Sequence, residues 1–355
     1  MKEKYLKIFA VVFVVLLIIF FVTKPRRSGV NIEELVQNII IGVAKEDVQS
    51  IEIYKQTDTD EPVKITFKKQ ADQWRISTHL NCKAKNNKIS KLLNDLLNMT
   101  GKVRSSDPNH HEKYSITDYK GIHILLKDET DKTLANLIFG KKPEDRNSSF
   151  VRFAGNDKVY FGDKDILSDI NIYSNFDTLT SFKQDNFVDL QAVDKDEKDI
   201  TIIGLISGNK QRIIKKVEKE VEVTKDDSVT TTEKKNVWVL LRNEKEIDLD
   251  QKEVEKFVRA VTSIRAQELV DKIGGSFSDM NKSEKYGFQR SRNVLVFKKD
   301  EKSDQQNVIF GDQYEEDKGY YMQVQYDKGL VYKVSKSKYD KIFEWIDKLP
   351  EIQSE

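Results

Sequence analysis

"NLIFG", residues 136–140, returns as "NVIFG" at residues 307–311, 171 positions further on. Aligning the two pentads brings their surroundings into register. "KYSITDYKGIHILLKD" (113–128) lies over "KYGFQRSRNVLVFKKD" (285–300), setting Tyr114 on Tyr286 and Asp128 on Asp300. "SFVRFAGNDKVYFGDK" (149–164) lies over "YYMQVQYDKGLVYKVS" (320–335), with Tyr160 against Tyr332 once loop lengths are allowed for. Upstream, "DQWRIS" matches "NVWVLL", so Trp74 corresponds to Trp238 at an offset of 164. Common order, spacing and tryptophans mark a duplication. A repeat this long predicts two tandem domains rather than a solenoid of short units.

Each copy reads as α+β, a mainly antiparallel sheet with one amphipathic helix. In the first copy "IEIYK", "VKITFKK" and "QWRIS" alternate as half-buried strands do. Ile89, Leu92, Leu93, Leu96 and Leu97 then form one helical stripe, which Asn86 or Asn87 is placed to cap. "GIHILLK", "TLANLIFG", "SFVRFAG" and "KVYFG" read as further strands divided by polar turns. The second copy repeats this order. Val254, Phe257, Val258, Val261 and Ile264 make its helical stripe, and Asp250 with Glu253 resembles a capping box. Gly140 and Gly311 end strands where a turn begins, and the expectation is that glycine is needed there for positive φ. Residues 211–241 predict a long hairpin, a candidate contact arm. Tyr339, Ile342, Phe343, Ile346 and Leu349 predict a C-terminal helix over 336–349, stopped by Pro350, with Trp345 off the centre of its stripe. The expected organisation is an anchor over 1–27, a first repeat over 28–185 and a second over 186–355.

The anchor rests on "IFAVVFVVLLIIFFV", residues 8–22, which carries no polar side chain. Extended to residues 5–23 it makes about 28 Å of helix, close to the hydrocarbon thickness of a bilayer. "VTKPRRSG" lacks the small-x-small site of a cleaved signal peptide, so the span is expected to remain and to be the chain's contact with membrane lipid. Lys2, Lys4 and Lys7 on one side balance Lys24, Arg26 and Arg27 on the other, which leaves orientation open on charge alone.

Composition excludes several functions. Lys and Arg total 60 against 59 Asp and Glu, so no global field favours nucleic acid. With Cys82 as the single cysteine, no intrachain disulfide forms. No Walker A stretch, G-x-S-x-G elbow or H-E-x-x-H occurs. His79, Cys82, His110 and His111 are zinc-ligand types, but their spacing is irregular and the second copy has no equivalents. No metal, cofactor, catalytic residue or small-molecule ligand is therefore assigned. Trp74, Trp238, Tyr114 and Tyr286 are read as core rather than as a carbohydrate platform.

"DVQSIEI" (47–53), the W-x-I strand, the Leu-rich helix, "KYSI" and "KYGF", "IFG" and the V-Y strand together resemble a bacterial family, domain of unknown function 4340. The resemblance occurs twice over roughly residues 45–350, and "FKQDNFVDLQAVDKDEKDITII" (182–203) resembles the lead-in to a new copy. It implies a single-pass protein of the bacterial cytoplasmic membrane, N-terminus inside and bulk outside. It also implies a neighbouring ABC-2-type transporter of the kind associated with gliding motility, whose permease and ATPase would be the partners. The expected function is a non-enzymatic accessory subunit. The alternative is an envelope scaffold or polymer- or protein-binding module without a transporter.

Overall fold

The computed structural model describes Phe13, Val15, Leu16 and residues 36–349, apart from 58–60, 145–146, 174–175, 226–228, 244, 275–276 and 292. Of the anchor expected over 5–23, only Phe13, Val15 and Leu16 are described, helical and exposed; the span itself lies outside the described residues. Among the described residues no helix is long and apolar enough to cross a membrane.

From residue 36 the chain lays down β1 (Val36–Asn38), β2 (Ser50–Lys55), β3 (Val63–Gln70), β4 (Gln73–Ile76) and β5 (Cys82–Lys83), then helix α1 (Asn86–Leu97). β6 (Thr100–Ser105), β7 (Ile122–Lys127), β8 (Thr133–Phe139), β9 (Ser149–Phe153) and β10 (Val159–Gly162) follow, with the short α2 (Ile166–Asp169). Next come β11 (Gln191–Asp194), β12 (Ile202–Ser207), β13 (Lys210–Lys225), β14 (Val229–Arg242), β15 (Lys245–Asp248) and α3 (Gln251–Thr262). β16 (Ser263–Arg265), β17 (Glu268–Lys272), α4 (Phe277–Lys285) and β18 (Asn293–Lys298) come after it. The described chain closes with β19 (Gln306–Glu315), β20 (Gly319–Val324), β21 (Leu330–Ser335), α5 (Lys336–Phe343) and α6 (Trp345–Lys348).

Two compact units emerge, Met1–Val63 with Ser90–Thr180, and Lys64–Ile89 with Ser181–Glu355. In the first, antiparallel strands run in the order β1-β6-β10-β9-β8-β7-β2. In the second, a nine-stranded antiparallel sheet runs β15-β14-β13-β12-β18-β19-β20-β21-β17. The stretch β6-β10-β9-β8-β7-β2 has the same order as β17-β21-β20-β19-β18-β12, taken strand for strand along the sequence. Even a register shift recurs, beside Tyr160 in β10 and opposite Tyr332 in β21. Tyr160 faces Val151 and Tyr332 faces Met322, so the two tyrosines hold equivalent places.

The α+β, mainly antiparallel class follows from the patterning. Ile51 and Ile53 in β2, and Ile122, Ile124 and Leu126 in β7, alternate inward and are fully buried. Ile89, Leu92, Leu93 and Leu96 of α1 are buried, each contributing on the order of 2 kcal/mol. Four details differ from the sequence reading. Asn86 is the first helical residue, and its Oδ1 accepts from the Trp74 backbone N–H at 3.1 Å rather than capping the helix. Gln251, first in α3, repeats this, its Oε1 accepting from Trp238 N–H at 2.8 Å. Ile264 sits not on α3 but in β16, and Glu344 divides the C-terminal helix into α5 and α6. The second unit also holds α4, so it is not limited to one helix. Asp250 caps α3 as expected, accepting from the N–H groups of Lys252 and Glu253. The long hairpin forms from β13 and β14, in register from Ile213–Leu241 out to Lys225–Val229.

The repeated glycine has a cause other than positive φ, since neither Gly140 nor Gly311 adopts it. A Cβ on Gly140 would stand 2.2 Å from the Tyr114 carbonyl oxygen, and one on Gly311 would stand 2.0 Å from that of Tyr286. The residues that do need a left-handed backbone are Ser115 (φ 53°) and Gly287 (φ 74°), one place after each tyrosine. That turn aims the tyrosine carbonyl at the next N–H beyond the glycine: Lys141 N–H donates to Tyr114 O at 3.0 Å and Asp312 N–H to Tyr286 O at 2.9 Å. "KY" and "IFG" are thus two halves of one corner, made twice.

β7 also carries a pH-sensitive group. His123 is buried, stacks on Tyr54 with ring centroids 4.4 Å apart, and places Nε2 2.8 Å from the Asp118 carbonyl oxygen. Burial pushes its pKa below the usual histidine value. A depressed pKa gives stability that is complete above the unfolded value near 6.5 and is lost as pH falls through the folded one. Urea midpoints are therefore expected to drop between about pH 7.5 and 5.5, and to drop less in His123→Asn. Parallel pH slopes in the two proteins would exclude this role.

A cation-ringed cleft in the first unit

The same corner opens a cleft of about 730 Å³ in the first unit. Its floor is aromatic. Tyr114 packs against Phe150 at 4.5 Å between centroids, and Phe161 meets Phe150 edge-on at 5.8 Å. Tyr114 is buried in a small cluster with Ile116, Ile138 and Val159, whereas Phe150 and Phe161 keep half-exposed faces toward the opening. Lys102, Val103 and Arg104 of β6 form one wall. A register shift against β10 falls at Arg104, between the Tyr160–Val103 and Val159–Ser105 pairs. Lys113, Lys141, Lys142, Pro143 and Glu144 complete the rim.

The charges on this rim are not equivalent. Lys142 is committed, donating to Asp165 Oδ2 and Ser168 Oγ, each at 2.6 Å. Lys102, Arg104, Lys113 and Lys141 are exposed, and none forms an ion pair among the described residues; Lys113 Nζ lies 5.9 Å from the centre of the Tyr114 ring. The second unit closes the matching corner on itself. Tyr286 donates its hydroxyl to Asp271 Oδ2 at 2.9 Å, and burial followed by Asp271 pushes its phenol up to about 12. Glu268, opposite Lys333 as Lys102 is opposite Phe161, pairs with that lysine at 2.8 Å. Asp312, at the place of Lys141, pairs with Arg290. Val270, Phe288, Ile309 and Tyr321 fill the remaining space around Tyr286. The second corner keeps Lys285 over Tyr286, as the first keeps Lys113 over Tyr114, but holds acids at the places of Lys102 and Lys141. The first carries four cations without ion pairs, against the one acid Glu144, around aromatic rings, which suits an anionic ligand with an apolar face.

The zinc-ligand types meet no such arrangement. His110 Nδ1 lies 2.8 Å from Ser105 Oγ, His111 Nε2 lies 3.1 Å from the Asp157 carbonyl oxygen, and His79 faces Asp185 at 3.2 Å. No group of three metal-ligand side chains gathers among the described residues. Cys82 is fully buried and its thiol is pushed up to about 12 by that burial, so it is no thiolate at neutral pH. Beside it Arg75, buried, donates from Nη1 to Asp327 Oδ1 at 2.9 Å, with Lys83 Nζ 3.6 Å from the other oxygen. This pair ties the β4 strand to the β20–β21 turn within the second unit. Trp74 and Trp238 are buried, and Trp345 packs on Phe257 at 5.6 Å between centroids.

The cleft residues Lys102, Arg104 and Lys141 went unnoticed in the sequence, although the alignment held a signal. "GKK" after the first pentad faces "GDQ" after the second, a charge reversal at a fixed structural place.

Fold and cleft together define a mainly antiparallel α+β protein with a ligand-sized opening. Residues 74–276 match the family described as domain of unknown function (DUF4340), and the chain belongs to it. The match is one continuous stretch rather than two. No curated protein and no solved structure matches the chain.

Proposed function

We propose that this protein is a membrane-anchored, non-enzymatic extracytoplasmic binding subunit, accessory to an ABC-2-type transporter, made of two copies of one α+β domain of which the first binds the ligand. The observation that carries the binding role is the cleft at Tyr114, with four cations lacking acidic partners. Duplication is supported by the equal strand orders and by the twin corners at Gly140 and Gly311. The apolar run 8–22 supports the anchor in the cytoplasmic membrane, N-terminus inside. The β13–β14 hairpin, with its charged faces, is the contact arm for the permease. The transporter partnership rests on the family resemblance alone.

Purification of the full-length protein from its native membrane in gentle detergent, followed by mass spectrometry, tests the partnership. Stoichiometric recovery of an ABC ATPase and permease is expected, and is expected to fall when residues 218–236 are replaced by a short turn. Recovery of the protein alone, or with wall material, rejects the transporter and leaves the envelope binding module that the cleft itself favours.

A further inference from the structure

The cleft and the membrane anchor are joined by a short piece of chain. β1 pairs with β6 so that Val36 stands opposite Lys102, a residue of the cleft wall. Thirteen residues, 23–35, separate the apolar run from Val36. Fully extended they span at most about 45 Å, so the β1–β6 edge stays within that reach of the bilayer surface. The surface it presents is amphipathic. Val36 and Val103 are exposed, at 36% and 50%, beside the cations Lys102 and Arg104. A soluble polyanion would use the cations and leave both valines in water; an anionic lipid uses both.

We propose that this cleft docks an anionic phospholipid of the bilayer that anchors the chain. The phosphodiester sits between Lys102 and Arg104, and the glycerol and first acyl carbons lie against Val103, Phe150 and Phe161. The inference rests on the anchored, ligand-binding reading above and names its ligand. A reach of about 45 Å lets the cleft come down onto the bilayer surface, where the lipid headgroups are available to it. The matching corner of the second unit carries Glu268 and Asp312 at the places of Lys102 and Lys141, each already paired with a cation.

The test titrates the full-length protein in dodecyl maltoside micelles with dihexanoyl phosphatidylglycerol, dihexanoyl phosphatidylcholine and polygalacturonate, by calorimetry. Phosphatidylglycerol is expected to bind, the choline lipid at least tenfold more weakly, and polygalacturonate more weakly than phosphatidylglycerol. Lys102→Glu/Arg104→Glu should weaken phosphatidylglycerol tenfold or more, whereas Lys302→Glu/Lys318→Glu, an equal charge change in the second unit, should not. The native protein gives a second reading that needs no variant: its affinity for phosphatidylglycerol should fall as salt rises. Equal binding of the two lipids, or no salt dependence, overturns the inference. Binding of polygalacturonate at the cleft in preference to lipid overturns the lipid and keeps the ligand-binding reading. Binding of none of the three overturns both.

Discussion

Alanine at position 311 is expected to destabilise the protein by about 3 kcal/mol, at the upper end of what an overpacked site costs. The added Cβ would lie 2.0 Å from the Tyr286 carbonyl oxygen and 3.0 Å from the Phe288 ring. The first of these is backbone, fixed by its own hydrogen bond from Asp312 N–H, so it has little freedom to yield. Gly140→Ala meets the Tyr114 carbonyl at 2.2 Å and should behave alike. Gly204, in β12, is the control: its added Cβ would come no closer than 3.4 Å to Val296, ordinary contact, and the change there should stay within about 1 kcal/mol. Equilibrium urea unfolding of the three variants separates the cases. Equal losses at 204 and 311 would show that the close approach of the tyrosine carbonyl is not what requires glycine.

Breaking the Arg75–Asp327 pair should cost more. Asp327→Leu leaves a guanidinium buried without its carboxylate, a loss of about 3–5 kcal/mol for pairs of this kind. Arg75→Met should be milder, because Lys83 stays 3.6 Å from Asp327. The double variant Arg75→Met/Asp327→Leu removes both charges and should recover to within about 1–2 kcal/mol of the native protein. Additive losses in the double variant would mean that the two side chains act separately, against the geometry described.

Much of the fold was legible because half-buried strands and amphipathic helices write their burial into the sequence. Ile51, Ile53, Ile122 and Ile124 alternate, and Leu92, Leu93 and Leu96 recur at helical spacing, with no tertiary information needed. α4 was missed because "FSDMNKSEK" has almost no apolar stripe to betray it. The pentads lie at matching places in the two strand orders, but the reason for their glycine lies outside them. Tyr114 is 26 residues from Gly140 in sequence, and only folding brings its carbonyl against it. The cleft was hidden for a related reason. Lys102, Arg104, Lys113 and Lys141 are four among 60 basic residues, and nothing local marks them as neighbours. What distinguishes two of them is the second copy, where the places of Lys102 and Lys141 hold Glu268 and Asp312.

The tie between Arg75 and Asp327 bears on how the protein is made. The two residues are 252 apart. At about 5–20 residues per second, the strand bearing Arg75 waits roughly 13–50 s after its own synthesis before its carboxylate partner is translated. During that interval β3–β5 carries a cation and apolar side chains with no finished surface to bury them. Ribosome-bound chains halted before residue 327 should accordingly leave this hairpin open to protease, and the full-length chain released from the ribosome should protect it. The pace of translation, as much as the final contacts, then governs how much of this protein reaches its native form.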